Sequence, residues 1–124
     1  MPEPLPEDPR VKRLIAICGA LPETTHEFHE DFVHFRVRKK VFAYFLGGHD
    51  PDGIESICVK SELGENVDRS SAHPELYYLP PYLGKRGWFG IRVDRPFVDW
   101  QDVESAVRVS YRLAAPKSLL KAVS

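Results

Sequence analysis

Phe32-Val33-His34-Phe35-Arg36-Val37-Arg38, then Lys39-Lys40, then Val41-Phe42-Ala43-Tyr44-Phe45-Leu46: this stretch decides the fold. Val33, Phe35 and Val37 fall on one side of an extended chain, and His34, Arg36 and Arg38 on the other. Successive strand side chains point to opposite faces, so the alternation predicts a strand with one wet face. Residues 41–46 predict a second strand with apolar residues on both faces. The Lys39-Lys40 turn between them lacks the Asn-Gly signal of a two-residue hairpin, which leaves the register open. A cluster of turn residues at 47–53 follows. Residues 54–60 then predict a third strand, with Ile57 and Val59 on one face. Three strands joined by short turns make an antiparallel meander.

Upstream, Asp8-Pro9 is a helix start, with Asp as N-cap and Pro as first helical residue. Val11, Leu14, Ile15 and Cys18 recur at helical spacing and predict a helix over 9–18, closed by Gly19. Prolines at 2, 4 and 6 make residues 1–8 a disordered or extended lead, and 9–124 a single domain. Residues 20–31 read as a polar connection. Downstream, Ser61 is expected to cap a helix over 62–70 with Leu63 and Val67 pointing inward, ended by His73-Pro74. Residues 76–79 are extended and broken by Pro80-Pro81.

Gly84-Lys85-Arg86-Gly87 is a turn that glycine makes permissive. Residues 88–94 predict a further strand. Phe89, Ile91 and Val93 face the core; Trp88, Gly90 and Arg92 face away. Gly90 in mid-strand marks a bulge or a close approach. Asp99 caps a last long helix with the apolar stripe Trp100, Val103, Val107, Tyr111 and Ala114. Pro116 ends it, and 117–123 predict a short terminal helix. The order α, three strands, α, one or two strands, α gives an α+β two-layer domain, an antiparallel sheet of about five strands packed against helices.

The chain has 124 residues, 43% hydrophobic and 28% charged, which is the composition of an ordinary soluble globular domain. No run approaches the roughly 18 apolar residues of a membrane span. The acidic, proline-rich N-terminus lacks the basic and apolar segments of a signal peptide, so a cytoplasmic location is expected. Cys18 and Cys58 sit in apolar runs without Cys-x-x-Cys spacing and are expected to be buried free thiols rather than a disulfide or a catalytic thiol. Net charge is −1, but it is unevenly spread. Residues 1–75 hold 9 Lys and Arg against 14 Asp and Glu, whereas 76–124 hold 8 against 4. That asymmetry permits a local basic face.

Arg36-Val-Arg-Lys-Lys-Val-Phe-Ala, Lys60-Ser, Pro81-Tyr-Leu-Gly-Lys-Arg-Gly-Trp, and Ser110-Tyr-Arg-Leu with Pro116-Lys117 resemble the MmcQ/YjbR family. The likeness runs from the first helix to Lys117. Lys39 departs from it by standing where a small turn residue is expected. The resemblance implies a compact α+β domain with a curved antiparallel sheet and a largely uncharacterised activity. DNA binding through a double-wing arrangement is the suggestion attached to the family.

Three functional classes follow. The first is nucleic-acid binding, with Arg36, Arg38, Lys39, Lys40, Lys85, Arg86, Arg92 and Arg108 for phosphates and Tyr82 and Trp88 to stack on bases. Lys39-Lys40 and Lys85-Arg86 would act as two wings. The second is a protein-interaction module that uses an open sheet face with Phe42, Tyr44, Tyr82 and Trp88; a monomer or weak homodimer is expected. The third is a small-ligand or enzyme site around Lys40, Lys85, Ser110 and Tyr111. No nucleophile–base–orienter set supports catalysis, and the Gly84–Gly87 turn is not a P-loop. His26, His29 and His34, with Glu27, Glu30 and Asp31 nearby, lack the spacing of a known zinc motif. They are expected to be solvated or hydrogen-bonded, and neither a metal nor a cofactor is expected.

Overall fold

The computed structural model describes residues 5–48, 53–81 and 83–120. Its strands are β1 (Thr24–Phe28), β2 (Phe32–Val37), β3 (Lys40–Gly47), β4 (Glu55–Lys60), β5 (Tyr77–Tyr78) and β6 (Trp88–Arg92). Its helices are α1 (Pro9–Gly19), α2 (Glu65–Ala72), α3 (Trp100–Ala114) and α4 (Lys117–Leu120). The strands form one curved sheet in the order β1-β2-β3-β4-β6-β5, antiparallel at every pairing. The fold is α+β, with six strands among the described residues rather than about five.

The core lies between the sheet and α1 and α3. Val33, Phe35, Phe45, Ile57, Val59 and Phe89 meet Val11, Leu14, Val103, Val107 and Tyr111 there. Each such side chain contributes about 1.5–3 kcal/mol by leaving water. Asp8 caps α1 as expected, accepting from the Arg10 backbone N–H at 2.9 Å. Arg10 then ties the helix to the sheet, donating to Val93 O at 3.0 Å and Glu55 Oε2 at 2.8 Å. Both cysteines are free and buried. Burial pushes the Cys18 thiol far above its usual pKa, so it is inert.

Several expectations are corrected. The polar connection over 20–31 contains β1, whose residues after Thr24 are all exposed. An edge strand with little to bury shows no apolar alternation. Residues 5–7, expected to be part of the lead, form a 3-10 turn, and Leu5 packs against the core. Residues 1–4 and 121–123 lie outside the described residues. Leu63 and Val67 do not face inward; Leu63 is 77% exposed and the buried residue of α2 is Asn66. The reason is the start of the helix. Ser61 spends its hydroxyl on Gly87 O, and α2 begins after Gly64 at φ 94°, which sets a different face inward. The face of β2 read as wet is only partly so, because His34 is buried on it.

The turn between β2 and β3 is a tight two-residue one. Val37 pairs with Lys40, and Arg38 takes φ 54°, the left-handed conformation usually left to Gly or Asn. Glu23, also left-handed at φ 57°, faces it. Arg38 donates to both Glu23 carboxylate oxygens at 3.2 and 3.1 Å, and its backbone N–H donates to Glu23 O at 3.2 Å. The register also shifts between Phe35 and Arg36, leaving Phe42 unpaired on β3. Its ring meets Tyr111 edge-on at 5.5 Å.

Candidate nucleic-acid interface

The strand register places the start of β3, the end of β4 and the start of β6 at one end of the sheet. Val37 pairs with Lys40, Ala43 with Val59, and Lys60 with Trp88. The basic turn Gly84–Arg86 immediately precedes Trp88 and so reaches the same end. Two shallow concavities meet there on either side of Leu113, at the C-terminal end of α3. Lys39, Lys40 and Arg38 line one; Lys60, Lys85, Arg86 and the exposed Leu63 line the other. Among the described residues, Glu62 is the one acidic residue lining either of them. The end of α3 adds the negative pole of its dipole, which favours cations there.

The Gly84–Gly87 turn is built from below. Asn66, 1% exposed, donates from Nδ2 to Gly84 O at 2.8 Å and to Trp88 O at 3.0 Å. The Ser61 backbone N–H and hydroxyl both donate to Gly87 O, at 2.8 and 2.9 Å. Gly87 sits at φ 91°, and a Cβ there would stand 2.6 Å from Ser61 O. The backbone is thereby held while Lys85 and Arg86 remain exposed. Asn66 and Ser61 are positioning residues that sequence reading missed. A buried Asn gives no hydrophobic signal, and Val67 beside it gave a misleading one.

The remaining predicted residues disperse. Arg36 is exposed on the sheet face opposite the helices, one residue before the end of β2, and lines neither concavity. Arg92 lies at the other end of the sheet, paired with Asp94 through two contacts of 3.1 Å. Arg108 is on the outer side of α3, 3.5 Å from Glu104. Arg38 is at the basic end but committed to Glu23. Trp88, expected to stack on bases, is 6% exposed and packs on Tyr44 with ring centroids 5.5 Å apart. Tyr82 lies outside the described residues.

A pocket uniting Lys40, Lys85 and Tyr111 is not formed among the described residues. The two lysines line different concavities, and Tyr111 is buried with its hydroxyl donating to Pro22 O at 2.7 Å. Ser110 is equally buried. Its Oγ accepts from the Lys60 backbone N–H at 2.9 Å and donates to Phe42 O at 2.5 Å, bridging β3 and β4 where their ladder ends.

At the opposite part of the sheet the structure unites what the sequence left apart. Glu27 pairs across β1 and β2 with His34, and His29 folds back in the turn. His29 Nε2 and His34 Nδ1 lie 2.9 Å apart, and His34 Nε2 lies 3.2 Å from Glu27 Oε2. Burial, aided by Arg36 and His29, holds the His34 pKa below its ordinary value. His26 is on the other face of β1, its ring 5.9 Å from that of Phe35.

A family model described as YjbR matches residues 19–113. The chain belongs to the YjbR family. A crystal structure of the Deinococcus radiodurans protein DR2400, described as a DUF419 domain, is similar with a TM-score of 0.69 and 22% identity. The alignment covers 91% of this chain and 86% of that one. No curated protein matches the chain. In this YjbR domain, the residues that carried the resemblance divide by role. Gly84, Gly87, Trp88, Ser110 and Tyr111 serve the fold, and Lys85 and Arg86 are displayed by it.

Proposed function

We propose that this YjbR domain binds the phosphate backbone of a nucleic acid through its two basic turns. The observation that carries the reading is the convergence of Lys39, Lys40, Lys60, Lys85 and Arg86 at one end of the sheet, around Leu113. None of these five is in an ion pair among the described residues, so their charge is available to an outside anion. Short, hydrogen-bonded turns lose little backbone entropy on contact, and their cations release counterions from the polymer. With Trp88 packed away, the contact is to backbone rather than by base stacking, so it is tolerant of sequence.

The test is anisotropy of a labelled DNA duplex titrated at several salt concentrations. Binding should weaken steeply with salt, and Lys85→Ala with Arg86→Ala should lower the slope of log affinity against log salt by about 2. Salt-independent or absent binding overturns the reading. A second reading rests on Leu63 and Leu113, exposed beside the same cations. An acidic partner protein with an apolar anchor would fill that concavity. Leu63→Ser would then abolish partner binding, while duplex binding would be unchanged.

A further inference from the structure

We propose that Glu27, His29 and His34 form a binding site for a borderline divalent transition-metal ion of the zinc, cobalt or nickel kind. The site is independent of the basic end. It is built by the β1–β2 hairpin, in which Glu27 lies directly across from His34. The His29 backbone N–H donates to Phe32 O at 2.8 Å and turns the His29 side chain back over the pair.

The donor atoms already sit at ligand spacing. One from each residue can be chosen so that all lie within 4.8 Å of one another, the one such group among the described residues. His29 Nε2 is 2.9 Å from His34 Nδ1 and 3.8 Å from Glu27 Oε2. Two imidazole nitrogens bound at right angles to one zinc-sized ion stand about 2.9 Å apart, and at a tetrahedral angle about 3.4 Å apart. The ion therefore takes the place of the proton between the two rings, with shifts of a few tenths of an ångström; that proton moves to the outward nitrogen of the ring that carried it, so both ligands stay neutral imidazoles. Glu27 is exposed, and its carboxylate, now 3.2 Å from His34 Nε2 and 3.8 Å from His29 Nε2, completes the set by swinging toward the ion. Arg36, on the same face as His34, is the neighbouring cation that the ion must tolerate.

The surroundings orient the rings. His29 stacks on Phe32 at 4.2 Å and 16°, and His34 is 7% exposed beside it. Apolar support of this kind fixes ligand direction. Two imidazoles and one carboxylate suit zinc, cobalt or nickel rather than calcium or magnesium, which prefer an all-oxygen shell. Three protein ligands leave a fourth position open to water or to a group from a partner.

The experiment is calorimetric titration of the full-length, tag-free chain with zinc, with cobalt absorption as a second readout. One equivalent should bind. Cobalt should show visible bands typical of a site with nitrogen ligands. His29→Ala should weaken zinc at least about tenfold. Glu27→Gln should weaken it less, and His26→Ala, on the other face of the strand, should leave it unchanged. Because His34 is buried, His34→Gln is read only alongside its melting curve; the His29 variant carries the test if it fails to fold. Absence of one-to-one binding, or unchanged affinity in His29→Ala, overturns the proposal.

Discussion

The turn at Arg38-Lys39 and the turn at Gly84–Gly87 deliver cations to the same end of the sheet by opposite means. The first is tight and left-handed without a glycine. Arg38 at φ 54° is steadied by Glu23, itself left-handed at φ 57°, through a solvent-exposed ion pair. The second uses a glycine where φ is positive and fastens its carbonyls to buried Asn66 and Ser61. A surface pair is weak and salt-screened, whereas buried hydrogen bonds to backbone are costly to lose. The first turn should therefore tolerate substitution and the second should not.

The largest expected effect is at Gly87. Gly87→Ala forces a Cβ against Ser61 O at a φ that L residues avoid, and should cost about 3 kcal/mol or more. Denaturant unfolding measures it; a loss below 1 kcal/mol would break the distinction between the turns. Asn66→Ala should cost about 2 kcal/mol by taking its donor from the buried Trp88 carbonyl and leaving Gly84 O with the Gly87 N–H alone. If the basic end binds DNA, this variant should also weaken duplex affinity although no cation is removed. Ser110→Ala, which strips both the Lys60 N–H and the Phe42 carbonyl of a partner, should cost about 2 kcal/mol, again by denaturant unfolding.

Acid should sharpen the contrast by acting at the other end of the sheet. Burial opposes the Asp8 carboxylate, but hydrogen bonds and charge from Arg10 outweigh it and hold its pKa below the usual value. Hydrogen bonds from Arg92 hold Asp94 low in the same way. Folded pKa values lie below unfolded ones, so this stabilisation is present above pH 4 and is lost as pH falls through the folded values. Amide protection, corrected for the intrinsic exchange rate at each pH, should fall at 8, 10 and 92–94 below about pH 4 before it falls at 84–87. The smallest effect is expected for Arg38→Asn. It removes an exposed ion pair but suits the left-handed turn, so the melting temperature should stay the same or rise slightly.

Much of the scaffold was legible because period and caps are local signals. Val33, Phe35 and Val37 announced β2, and Asp8-Pro9 and Asp99 marked the starts of α1 and α3. Gly90 signalled a close approach, and the Tyr78 ring fills the space its Cβ would need. Tyr78 Oη also shares a 2.7 Å hydrogen bond with Ser56 Oγ, sealing that face. β1 was not legible, since an exposed edge strand has no apolar period to read. The inward side of α2 was misread because Leu63 and Val67 carried the hydrophobic signal while Asn66 carried the contacts.

The candidate site was legible as a list of cations and not as a place. Lys39, Lys40, Lys85 and Arg86 meet at one end, while Arg92 and Arg108 do not. That sorting depends on strand register and on which neighbours neutralise which charge. Trp88 shows the same limit from the other side: it lies on the predicted face, but Tyr44 covers it.

By itself the sequence determined the α+β class, the antiparallel meander, both main helices and the YjbR family. These rest on spacing along the chain, on capping residues and on turn chemistry. Only the tertiary structure decided which cations share an end, that Ser110 and Asn66 hold backbone rather than ligand, and that Glu27, His29 and His34 converge. Those are contacts between residues distant in sequence or across a hairpin, and side-chain packing, not periodicity, sets them.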